Sequence, residues 1–302
     1  MLVLLIGTGV YMSIRTYFFQ VKNFNIWAKL TYGSMFDKHE KGHNITPFQA
    51  VSVALASTIG IGSIAGIATA IVSGGPGALF WMVVSAFFGM MTKFSEVVLS
   101  VYFREKDENG IHYGGPMYYI EKGLKQKWLS ILFAIFASIA TFGAGNMTQS
   151  NAIAGLLNQT LKLPEYVSGI IVAIIVALVL IGGIKRISSV SEKLVPFMAT
   201  IYFIASIIIL IINFKNIPQA IKLIVSEAFS LKSAASGITG YAIFIAMRYG
   251  IARGVFSNEA GLGTAPIAHA ASNTNNPIKQ GMWGVFEVFN TLIICLLTGL
   301  VI

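Results

Sequence analysis

The sequence predicts an all-α, polytopic membrane protein, and three observations carry that expectation. Of 302 residues, 55% are apolar and only 11% charged, against roughly 25% charged in a soluble domain. Apolar stretches of about the 20 residues that a spanning helix needs recur along the whole chain. The loops between them also differ sharply in basic content, as membrane topology requires.

Crossings are expected near residues 2–19, 48–72, 77–101, 128–157, 167–181, 194–212, 237–254 and 281–302, about eight in all. No linker rich in Pro, Gly or Ser divides them, so residues 1–302 read as one transmembrane domain. The net charge of +9 would raise the question of nucleic acid in a soluble protein. Alternating the crossings answers it differently. Sixteen of the 21 lysines and arginines, Arg15, Arg104, Lys122, Arg186 and Arg253 among them, fall on one side and four on the other. Lys93 lies within a crossing. The basic side is therefore expected in the cytoplasm of a cell-membrane protein whose surroundings are the lipid bilayer.

The opening MLVLLIGTGVYM lacks a basic leader and a small-residue cleavage site, so it reads as a first crossing rather than a signal peptide. Residues 22–44 are mixed. Phe24, Trp27, Leu30 and Phe36 suit either an amphipathic segment in the membrane surface or a solvated connector. Thr46-Pro47 supplies an N-cap and a helix-start proline. Gly74-Gly75-Pro76-Gly77 and Gly114-Gly115-Pro116 are turns, Gly182-Gly183 ends the fifth crossing, and 217–230 has the spacing of an interfacial helix. The one cysteine, Cys295, precludes a disulfide framework.

Function enters with the second crossing. Residues 57–70 read STIGIGSIAGIATA, and glycine costs about 1 kcal/mol against alanine inside a helix. Unpaired backbone at membrane depth survives only where it is covered or lines a cavity. A break at Gly60-Ile61-Gly62 would turn the N–H groups of one half-helix toward a carboxylate and the carbonyls of the other toward a small cation. Close packing through Gly62 and Gly66 is an equally good account. A dinucleotide fingerprint is not, since no strand precedes it.

The fourth crossing concentrates Thr141, Gly143, Gly145, Asn146, Thr148, Gln149 and Asn151. Such side chains face a bundle interior or a watery path, and Asn146 and Gln149 are candidates to line a site. Interhelical hydrogen bonding is the plainer alternative. Ser236-Gly237-Ile-Thr239-Gly240 is a candidate second break, five crossings after the first, as an inverted repeat would have it. Lys93 and Glu96 read as a buried ion pair or as snorkelling groups. Glu287, without a sequence partner, is the better proton-relay candidate. His269 and Glu259 lack a nucleophile or metal-ligand spacing, so an enzyme is not expected.

The phrases GIGSIAGIATAIVSGGPGALFWM, TKFSE, GGPMYYIEKGL, GNMTQSNAIAG and RGVFSNEAGLGTAPIAHAA closely resemble the alanine/glycine:cation symporter family, over roughly residues 7–302. The resemblance implies a leucine-transporter-type inverted-repeat bundle with one extra leading helix. It also implies import of a small neutral amino acid, alanine or glycine, with Na+ or less often H+, and no other cofactor. Carried onto this chain, the substrate site would use Ser57, Thr58, Ile61, Gly62 and Gln149. Carbonyls of Ala56 and Ile59 would give half a sodium site, while Asn258 and Glu259 would shape a cytoplasmic gate. Ile61 and Ser63 stand where the family usually has Thr and Asn, and Asn290 where it has Asp, so substrate or ion preference is expected to have moved. Members also continue for about three more crossings, which makes a truncated product or degenerate copy one alternative. A proton-coupled carrier and a passive facilitator are the others.

Overall fold

The computed structural model describes residues 2–35, 44–229 and 239–302, and within them nearly all regular structure is helical. The chain opens with α1 (Leu2–Arg15), α2 (Phe19–Lys22) and α3 (Phe24–Gly33). Next come α4 (Pro47–Thr58), a 3-10 turn Ile61–Ser63, α5 (Ala65–Gly74) and α6 (Gly77–Tyr102). A two-stranded hairpin, β1 (Glu105–Lys106) with β2 (His112–Tyr113), leads to α7 (Pro116–Leu124). Then α8 (Lys127–Ala140), a π-helical turn Thr141–Met147 and α9 (Thr148–Leu161) form one rod. The chain continues through α10 (Glu165–Leu180), α11 (Gly183–Ile212) and α12 (Ile217–Ala228). It closes with α13 (Thr239–Asn258), α14 (Thr264–Ala270) and α15 (Pro277–Val301).

Among the described residues four helices are long and apolar enough to cross a membrane: α6, the 127–161 rod, α11 and α15. Their starts follow local chemistry. Thr46 and Gln49 form a reciprocal capping box around Pro47 at the head of α4. Asn276 accepts from the amides of Ile278 and Lys279 ahead of Pro277 on α15.

The core lies where α15 packs on α6 and α4. Trp283, Phe286, Val285, Val288, Met91 and Val51 are fully or almost fully buried there. The segment after residue 22 differs from a surface connector. Trp27 on α3 is wholly buried, its indole N–H donates to the Gln20 carbonyl at 3.0 Å, and its ring meets Phe289 edge-on. Its large apolar area drives it inward. Phe36 lies outside the described residues.

Two helices are discontinuous and run in opposite senses beside α6. Gly250 lies against Ala78 and Trp81, Gly254 against Met82 and Ser85, and Asn258 against Gly89, so α13 descends parallel to α6. The path resumes in α14, where Pro266 and Ala270 offer carbonyls to Ser100 and Arg104. The pair α4–α5 climbs the other way, from Ile45 beside Ser272 to Gly74 beside Tyr249.

Candidate functional site

The first interruption falls at the glycines. The α-helix ends at Thr58, Ile59 turns out of it, and the second half restarts through the 3-10 turn. Among the described residues the amides of Gly60, Ile61 and Gly62 have no hydrogen-bond partner, nor do the carbonyls of Ala56, Ser57 and Ile59. These are the orphan groups that helix ends leave. Close packing is present as well: a Cβ on Gly62 would lie 3.3 Å from the Phe256 ring and 3.4 Å from Ser257 Cα.

The second break expected at residues 236–240 falls mainly outside the described residues. Residues 230–238 lie outside those described, while Thr239 and Gly240 occupy the first turn of α13 and continue it. Among the described residues a break falls at 259–263, where Glu259, Gly261 and Gly263 take positive φ angles of 52°, 88° and 79°. Two glycines in three residues permit that path, which most side chains resist. Asn258 Oδ1 accepts from the Ala260 amide at 2.9 Å, and Glu259 accepts from the Thr264 hydroxyl. The resemblance implies a cytoplasmic gate shaped by Asn258 and Glu259. Asn258 is buried beside Gly89, near the middle of α6, and follows Ser257, which packs on Gly62.

The candidate residues divide between two faces. Ala56 and Ser57 are exposed, Gly60 and Ile61 are partly so, and Gln149 stands over them, its Oε1 3.6 Å from where a Gly60 Cβ would be. Asn146, one turn earlier on the π-helical stretch, is exposed. Thr58, Ile59, Gly62 and Ser63 are buried on the opposite face. There Ser63 Oγ donates to the Thr58 carbonyl and lies 2.8 Å from Ser257 Oγ, which is 3.2 Å from Cys295 Sγ. Thr298 donates to the Ser63 carbonyl at 2.9 Å, and Thr291 to Thr58 Oγ1 at 3.3 Å. On this face Ser63 and Thr298 satisfy the Thr58 and Ser63 carbonyls, while Ser257 and Thr291 brace the hydroxyls beside them. A void of about 10 Å³ among Ser257, Asn258, Thr291 and Cys295 has room for one water.

Lys93 is paired, but with Glu287 rather than Glu96. Its Nζ meets Glu287 Oε1 at 3.0 Å, and both side chains are wholly buried. Glu96, three residues along α6, faces the second break and accepts from the Gly261 amide at 3.2 Å. His269 joins the carboxylate of Glu287 at 3.4 Å. These groups and the serines above were missed as a set, although a signal existed. Gln280, Glu287, Thr291, Cys295 and Thr298 recur at intervals of seven, four, four and three, a polar stripe on an apolar helix.

Beyond α14 the chain is clasped to α6. Arg104 donates to the carbonyls of Ala270 (3.2 Å), Ser272 (2.7 Å) and Thr274 (2.7 Å). His112 Nδ1 lies 2.9 Å from the Ser272 carbonyl. Burial holds the His112 imidazole below its ordinary pKa, with Arg104 and Lys106 acting in the same sense and the Ser272 carbonyl opposing them. Ile45 and residues 271–273 exchange backbone bonds, so α4 and α14 are joined.

The model of the sodium:alanine symporter family matches residues 1–302. The chain belongs to that family. It is 44% identical over 307 residues to the sodium/alanine symporter AgcS of Methanococcus maripaludis, covering 100% of this chain and 67% of that one. An uncharacterized transporter of Haemophilus influenzae is 44% identical over 305 residues, with 100% and 66% covered. The amino-acid carrier protein AlsT of Bacillus subtilis is 38% identical over 302 residues, with 99% and 63% covered. The chain thus spans about two thirds of the length of these curated relatives. The family is one of sodium:alanine symporters, and these relatives carry the names of transporters and carriers rather than enzymes.

Proposed function

We infer that the chain forms the substrate-bearing part of a sodium-coupled importer of small neutral amino acids, alanine or glycine, in the cell membrane. The observation that carries the reading is the pair of interrupted, oppositely directed helices, with Gly62 of the first break packed on Phe256 and Ser257 just ahead of the second. The unpaired amides of Gly60, Ile61 and Gly62 suit a carboxylate. The carbonyls of Ala56 and Ile59 suit Na+, a hard cation that takes oxygen ligands. Gln149, above Gly60, has both donors and acceptors for the amino or carboxyl group.

Alternating access would carry α4 and α14 together, since they share backbone bonds, against an α6 framework to which Arg104 fastens them. With the basic loops cytoplasmic, that fastening closes the inner side. The test is sodium-dependent uptake of labelled alanine into vesicles holding the full chain. Gly62→Leu, which forces a branched side chain against Phe256, is expected to abolish uptake while the protein still reaches the membrane. Undiminished sodium-driven uptake by that variant overturns the site assignment, and uptake that never exceeds the outside concentration favours a facilitator.

A further inference from the structure

Four side chains outside the candidate amino-acid and sodium site meet in the interior: Lys93 on α6, His269 on α14, and Gln280 and Glu287 on α15. Each is 0% exposed. Lys93 Nζ donates to Glu287 Oε1 at 3.0 Å, His269 Nε2 lies 3.4 Å from Glu287 Oε2, and His269 Nδ1 lies 2.6 Å from Gln280 Nε2. A neutral imidazole satisfies this geometry in one way. The Gln280 amide donates to Nδ1, and Nε2–H donates to the carboxylate. The cluster then holds one positive and one negative charge.

That arrangement leaves Gln280 Oε1 buried without a partner, which is costly. Rotating the amide half a turn would bring Oε1 to Nδ1, and only a protonated Nδ1 could donate to it. The same rotation ends the orphaned state of Oε1. An unpartnered acceptor one rotation away from a ring nitrogen is what a site with two protonation states would hold.

Other ionisable groups at this end are few. Glu96, on α6, is bound to the Gly261 amide. Arg104 is spent on the carbonyls after α14. His112 on the hairpin faces Ser272, and α7 contributes Tyr119. The α4 helix, which also packs on α14, has no ionisable side chain in its span.

We propose that Lys93, His269, Gln280 and Glu287 form a proton-binding site that governs how firmly α14 is held to α6 and α15. A proton from water adds to His269 Nδ1, Gln280 turns its carbonyl to meet it, and the cluster gains one positive charge beside Lys93. A net charge in a dry interior loosens the contact. The loosening reaches the first break twice, through the Ile45 and Ser272 backbone pairing at the head of α4, and through Thr291, which links the Glu287 carbonyl to Thr58. The transport consequence, a pH dependence of uptake set by His269, rests on the function inferred above, whereas the proton site does not.

The test uses the full chain in lipid nanodiscs with isotope-labelled histidine, following ring resonances by NMR from pH 8.5 to 5. The chain has four histidines. The His269 signals are identified by their loss in His269→Gln and, should that variant fail to fold, by eliminating His112 with His112→Gln and His39 and His43 likewise. The expected result is that His269 signals move with pH, and that Gln280→Glu, which sets a carboxylate against Nδ1, moves their midpoint up by about one to three pH units. Signals that stay fixed, or a midpoint indifferent to Gln280→Glu, overturn the proton site. In vesicles, the pH profile of sodium-driven alanine uptake should flatten in His269→Gln, and an unaltered profile overturns the coupling to transport. Titration of His269 in a chain that shows no uptake at any pH upholds the proton site and sinks the transport reading instead.

Discussion

Replacing Lys93 by methionine removes the cation from a carboxylate that has no access to water. Both side chains are 0% exposed and their charged atoms are 3.0 Å apart. Removing one partner of such a pair costs about 3–5 kcal/mol, because the other charge stays buried and uncompensated. His269, 3.4 Å from the second carboxylate oxygen, remains to donate to Glu287, so Lys93→Met belongs near the lower bound, about 3 kcal/mol. Glu287→Gln leaves an ammonium without its counter-charge and belongs near the upper bound, about 5 kcal/mol. The double variant removes both charges and should cost less than the sum, with an interaction energy of about 2 kcal/mol or more for groups in direct contact. The assay is denaturant unfolding of the full chain in detergent micelles, read from tryptophan emission, since Trp283 is buried one turn from Glu287. Single variants that each lose less than about 1 kcal/mol, with effects that simply add, would refute the claim that the pair is dry and mutually dependent.

Gly62→Ala should weaken alanine uptake without abolishing it, since its Cβ would sit 3.3 Å from the Phe256 ring and mild overpacking costs about 1 kcal/mol; uptake kinetics matching wild type would contradict that contact. Arg104→Lys keeps the charge, but one ammonium cannot span three carbonyls as the guanidinium does. Hydrogen exchange at residues 271–274 should then quicken by the loss of about 1–3 kcal/mol of local stability, and unchanged protection there would count against the clasp. His112 is held neutral, chiefly by burial, so its folded pKa lies below the unfolded value of about 6.5. Its contribution is therefore fully present above about pH 6.5 and is lost as pH falls through the lower folded value. Exchange at Ser272, corrected for intrinsic rate, should rise over that interval in the wild type and not in His112→Gln, and equal behaviour of the two would be the contrary result.

Much of this was legible from the chain itself. Glycine and hydroxyl side chains out of place in a spanning helix pointed to Gly60-Ile61-Gly62, with close packing an equal reading, and the Thr46-Pro47 start followed from capping rules. The break expected at 236–240, from small and polar residues five crossings after the first, lies mainly outside the described residues. The break at 259–263 rests on a backbone feature, Gly261 and Gly263 at positive φ, although the sequence marks Glu259 beside them only as a gate residue. Lys93 was matched to Glu96 because they are close in sequence, yet residues three apart on α6 face α15 and the α13–α14 connection respectively. Partners 194 positions apart, such as Lys93 with Glu287 or Ser63 with Ser257, become visible only when helices are laid side by side. Asn146 and Gln149 looked equivalent as polar residues on one helix, but only Gln149 comes over Gly60.

The lone cysteine gives the molecule a built-in probe. Cys295 is 3% exposed, and its sulfur touches the Ser257 hydroxyl that in turn touches Ser63. An alkylating reagent has no competing thiol to consume, since the sequence contains one cysteine. Its reaction rate with the unmutated chain therefore clocks how often the two interrupted helices part company, and added sodium or alanine becomes a brake or an accelerator on that clock.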